Sequence, residues 1–141
     1  MKIQRFLILL GLFFLFNFIW EFLHYPLYND FSGMEKYPRL LVASSADMLI
    51  LASIFFGISL KNRNLKWIEK PSKMDFILII LAGVIIASYI EIMNLANGEW
   101  SYKTSMPTIF GIGISPLIQL FATALLSLRV FGYTNKLRKS N

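Results

Sequence analysis

Four long apolar runs, separated by short polar connections, set the pattern of this chain. They cover about Phe6 to Tyr25, Leu40 to Leu60, Phe76 to Leu95 and Pro107 to Phe131. At about 1.5 Å per residue, each is long enough as a helix to cross roughly 30 Å of hydrocarbon. The short connections predict antiparallel neighbours in one compact bundle. The expected fold is therefore an all-α, integral membrane four-helix bundle, with residues 1–141 as a single transmembrane domain.

Composition supports this pattern. Of 141 residues, 56% are hydrophobic and 16% aromatic, more apolar surface than a soluble domain of this size can bury. Cysteine is absent, which excludes disulfides, thiolate metal sites and cysteine nucleophiles. The N-terminal run starts like a signal peptide. However, Phe18, Trp20 and Phe22 fill the place of a small-residue cleavage motif, so an uncleaved helix is expected.

The net charge of +6 does not point to nucleic acid, because the basic residues flank apolar runs in short clusters. Eleven lie in the N-terminal tail, the second connection and the C-terminal end: Lys2, Arg5, Lys61, Arg63, Lys66, Lys70, Lys73, Arg129, Lys136, Arg138 and Lys139. Three lie in the first and third connections: Lys36, Arg39 and Lys103. This bias predicts a multi-pass protein of the cell inner membrane with both termini cytoplasmic.

Orientation turns positions into depths. Glu21 and Glu91 each lie fifteen residues along their runs, about 22 Å from the inner side. Asp47 lies about 10 Å in from the outer boundary, and Gln119 about 18 Å from Pro107, with Ser115 one turn above it. All four runs thus place a polar group in the outer half of the bilayer. Asn17, Glu21 and His24 share one helical face. Ser44 and Asp47 share another, as do Ser88 and Glu91, with Asn94 further round. Gly111, Ser115, Gln119 and Ala122 form a stripe of small and polar side chains, a pattern that also serves helix packing. Carboxylates are costly in hydrocarbon and turn inward, so a polar pocket near the outer face is expected.

Glu21 and His24 form a Glu-x-x-His pair, a spacing that di-metal bundles use twice. With one histidine in the chain, no metal site and no cofactor is expected, and the pair suits acid/base work instead. The candidate catalytic residues are Glu21, His24, Asp47 and Glu91. Asn17, Asn94, Trp100, Tyr102, Ser115 and Gln119 are the candidate substrate contacts, with Trp100 and Tyr102 closing the mouth. Trp20, Tyr25 and Tyr28 also fit an aromatic belt at the interface.

With Trp20-Glu21, Ala43 to Asp47, and the run from Glu91 through Asn97-Gly98-Glu99-Trp100 to Ser115-Pro116, the whole chain resembles small four-span bacterial membrane proteins of uncharacterised function. Its last third also resembles membrane lycopene cyclase domains through Glu91, Gly98, Trp100 and Pro116. Ile118 and Gln119 stand where that family has paired glutamates, so the resemblance implies a related pocket for a long apolar substrate and not the cyclisation itself. The leading expectation is an acid/base enzyme acting on a lipid or isoprenoid-like substrate. The alternatives are a small transporter or lipid-binding module, with a homo-oligomer to complete a pathway, or an accessory subunit of a membrane complex.

Overall fold

The computed structural model describes residues 3–29 and 35–140, with side chains described for 4–29 and 35–134. Lys2 lies outside the described residues, and so do the side chains of Lys136, Arg138 and Lys139. The fold is all-α. Four helices, α1 (Ile3–His24), α2 (Lys36–Asn62), α3 (Lys73–Ala96) and α4 (Ile114–Ser140), are each long and apolar enough to cross a membrane. α1 packs along both α2 and α4, and α3 packs along α4, whereas α2 meets α3 only lightly. The bundle is therefore a ring of four helices with one loose seam.

Local chemistry sets the boundaries. Ser72 and Asp75 form a capping box at the start of α3, where Asn62 and Lys61 from the end of α2 also donate to Asp75. α2 stops at Arg63, which takes a left-handed φ of 49° and returns its N–H to the last turn. Between these helices a 3₁₀ turn, Leu65–Glu69, folds back under the bundle. Its Trp67 is buried and donates to Ser59 Oγ at 2.8 Å, and its Glu69 pairs with Arg5.

α4 begins seven residues later than the apolar run suggests. Thr108–Ile109 (β1) and Ile112–Gly113 (β2) form a small antiparallel hairpin, turned by Phe110 and Gly111 with φ of 52° and 79°. Two positive φ angles in a two-residue loop mark the turn best matched to strand twist. Pro116 follows in the first turn of α4, where its missing N–H costs nothing. This corrects the fourth span. Gly111 leaves the helix, so it belongs to no stripe with Ser115, Gln119 and Ala122. Gln119 now lies five residues into α4, about 7.5 Å from its start.

The dry core fills the half of the bundle near the basic end, where the N-terminus and the 3₁₀ turn lie. There Phe13 and Phe55 meet edge to face at 4.7 Å, and Phe55 abuts Trp67 at 5.2 Å. Leu9, Leu51, Ile79, Leu128 and Phe131 complete the packing. α3 and α4 approach closely at Gly83, where an added Cβ would stand 3.0 Å from both Cβ and N of Phe121. Gly83→Val is therefore expected to lower stability by about 1–3 kcal/mol. Gly57→Val, with nothing within 4 Å of the added Cβ, should be far milder. Thermal melts of the two detergent-solubilised variants compare them directly.

Candidate functional site

The other half of the bundle is polar inside. Asn17 and His24 are buried on one face of α1, with Glu21 partly covered between them. α1 ends at His24, because Pro26 enters a tighter 3₁₀ turn. The imidazole is held at both nitrogens: Nε2 lies 3.2 Å from Glu21 Oε2, and Nδ1 lies 3.0 Å from Ser115 Oγ. Trp20 Nε1 donates to the same serine oxygen at 3.2 Å. One assignment satisfies this chain throughout with a neutral ring: Trp20 donates to Ser115, Ser115 to His24 Nδ1, and His24 Nε2–H to Glu21.

Gln119 joins the remaining elements. Its amide nitrogen stands 2.7 Å from Asp47 Oδ2, 2.8 Å from Glu21 Oε1 and 3.3 Å from Asn17 Oδ1. An amide has two hydrogens, so three oxygens compete for two donors. The two shorter distances together hold the Asp47 and Glu21 oxygens within 5.5 Å of each other. Below, Thr123 Oγ lies 3.2 Å from Asn17 Oδ1, and the Asn17 amide donates to Phe13 O at 2.8 Å.

Glu91 serves a second cluster. It is buried, and it accepts from Trp100 Nε1 at 3.2 Å and from the Tyr102 hydroxyl. Tyr102 bridges in antiparallel fashion to Tyr28, and Asn29 N–H donates to Ser101 O and Lys103 N–H to Leu27 O, each at 2.9 Å. The connections after α1 and α3 are thereby zipped into a cap. The Tyr28 ring lies 5.3 Å from His24 and 5.4 Å from Tyr102.

Burial, and then the neighbouring Glu91, push both cap phenols above the ordinary tyrosine value of 10.0. A pKa raised on folding leaves stability complete below pH 10 and erodes it as the pH climbs past that value, because the unfolded phenol ionises first. Alkaline titration followed by phenolate absorbance should therefore reveal late-ionising tyrosines. Tyr102→Phe should remove one of them; an unchanged late phase would contradict the cap.

Under the cap lies a cavity of about 330 Å³, at the small end of the range for ligand pockets. Glu21, His24, Asp47, Glu91, Trp100 and Gln119 line it, so α1 to α4 all contribute polar groups to one space. Asn17 lies beneath it, Ser115 behind His24, and Tyr102 behind Glu91. Asn94 is not brought in: its amide folds back onto Ile90 O at 2.7 Å. Further contributors, Tyr25 among them, are absent from the expected site residues. Arg39 and Tyr28 line the cavity, and Thr123 supports its floor. Most of the remaining wall is aliphatic, including Leu40, Ile50, Ile90 and Leu120. Among the described residues, no group of three or more acidic, histidine or cysteine side chains is placed to hold a metal ion.

Comparison with protein-family models, with curated proteins and with solved structures finds no match for this chain.

Proposed function

We propose that the protein lies in a membrane as a four-span bundle with both termini on the cytoplasmic side, and that its cavity performs acid/base chemistry on a lipid or isoprenoid-like substrate. Membrane placement is supported by the outward helix faces, where residues such as Leu23, Ile85 and Leu49 are 70%, 66% and 61% exposed. Water does not favour apolar patches of that extent, and the 11-to-3 division of basic residues supports the orientation.

The observation that carries the chemical reading is the joining of two carboxyl groups, one imidazole and one amide beneath a lined, capped cavity. Glu21, addressed by His24 on one oxygen and Gln119 on the other, is positioned to exchange a proton with a bound substrate. Asp47 sits within 5.5 Å of it and offsets positive charge that develops there. The Tyr28 and Trp100 rings add cation–π stabilisation from the cap side. Ser115 is a positioning residue, since it reaches the site only through His24. Glu91 fastens the cap through Trp100 and Tyr102. The packed core from Leu9 to Phe55 closes the opposite half of the bundle, which favours chemistry in a blind pocket over passage through the membrane.

Lipid-extract mass spectrometry tests this reading, comparing cells that express wild type, Glu21→Gln or Asp47→Asn. A lipid or isoprenoid species should shift mass with wild type and not with either variant. An unchanged profile, with all three proteins folded and equally abundant, would leave only binding or an accessory role.

A further inference from the structure

The cap leaves open the question of how a substrate from the bilayer reaches the cavity. Among the described residues, the way in from above is crossed by the two backbone hydrogen bonds of the Tyr28–Tyr102 bridge and by the Glu91 clasp. On the flanks, α1–α2, α1–α4 and α3–α4 are closely packed, and α2–α3 is not. A groove runs along this seam, walled by Leu49, Ile50, Ser53 and Ile54 of α2 and Ile86 of α3. Ile50 also lines the main cavity, so the two spaces meet at that side chain. Ile54 lies seven residues below Asp47, so the groove leads about 10 Å from the carboxyl pair toward the middle of the bundle. Its one polar side chain, Ser53, already donates to Leu49 O at 2.8 Å. The groove asks for no hydrogen bond from its occupant.

Resting on the acid/base reading of the cavity, we infer that the α2–α3 seam is a lateral doorway that holds the single hydrocarbon or isoprenoid chain of the substrate. The small polar or unsaturated head of that molecule sits in the cavity while its tail lies along Ile50, Ile54 and Ile86. The head is small because the cavity holds only about 330 Å³. A bulky headgroup does not fit beneath the cap, and a two-chain lipid has one chain too many for a single groove.

Photolabelling tests this in nanodiscs, using hexadecanol with a mid-chain diazirine as the probe. Adducts should map to the inward-facing Ile54 and Ile86 roughly tenfold above lipid-facing Ile8 and Leu126, and excess unlabelled hexadecanol should displace them. Ile50→Trp should reduce seam labelling to the level at Ile8 and Leu126; Ile86→Trp serves if that variant does not fold. Leu126→Trp should change nothing. Seam labelling equal to that at Ile8 and Leu126, or not displaced by hexadecanol, means bulk lipid only and overturns the doorway. A substrate mass shift that survives Ile50→Trp overturns the doorway and leaves the acid/base reading intact. Saturable seam labelling with no mass shift from wild type overturns turnover and leaves the doorway standing.

Discussion

Glu21→Gln is expected to slow turnover by roughly 10²–10⁴-fold, the usual size of a general acid/base contribution, while the bundle stays folded. The substituted amide still offers its oxygen to Gln119 at the 2.8 Å contact, and its NH2 replaces the 3.2 Å contact by donating to His24 Nε2 once the imidazole carries its proton on Nδ1, toward Ser115 Oγ. What disappears is the exchangeable proton. His24→Gln should act in the same direction. Ser115→Ala should cost less, and it should shift the pH profile of the rate, because the serine works only by fixing the imidazole. Rates measured on purified protein with the substrate found by mass spectrometry check this ordering. Full turnover by Glu21→Gln would remove Glu21 from the chemistry and assign the proton transfer to another group lining the cavity.

Gln119→Leu is expected to lower stability by about 3 kcal/mol, the upper end of the cost of leaving a buried acceptor without its donor. The amide is the donor common to α1 and α2, so its loss leaves Glu21 and Asp47 without the neutral group that donates to both. Adding Asp47→Asn to Gln119→Leu replaces one of the two carboxyl groups with an amide that can donate to the other, and it should recover part of the loss. Contacting groups of this kind show coupling of about 0.5–3 kcal/mol. Chemical denaturation of the two single variants and the double variant measures that coupling. Strict additivity would show that Gln119 does not link the two helices energetically.

Much of this architecture is visible in the sequence because lipid-length apolar runs leave little choice. α1 is the clearest case: Asn17, Glu21 and His24 share a face in any helix, and that face turns inward. α4 was harder. Thr108 to Gly113 is as apolar as a helix end, and hydropathy alone does not separate a short hairpin from another turn of helix. The cues were conformational, namely the glycines at 111 and 113 and Pro116 just inside the helix. Starting α4 too early placed Gln119 too deep and hid its position level with Glu21 and Asp47. Thr123 and Ser127 were lost within an apolar run, although both are buried in line with Gln119. Arg39 was counted only as a topology charge, yet it lines the cavity. Asn94 lay near Glu91 on the same helix, but a backbone carbonyl one turn back was its nearer partner.

The edge-to-face contact of Phe13 with Phe55 has a consequence for how this protein tolerates change. Phe13 precedes Glu21 by eight residues, about 12 Å along α1, beyond the distance at which substitutions usually interact. Robustness and reactivity thus lie largely in different stretches of the same four helices. The aromatic pair can be repacked at a distance from the acidic end, whereas Ala87 and Leu120 belong to both the core and the cavity wall and couple the two there.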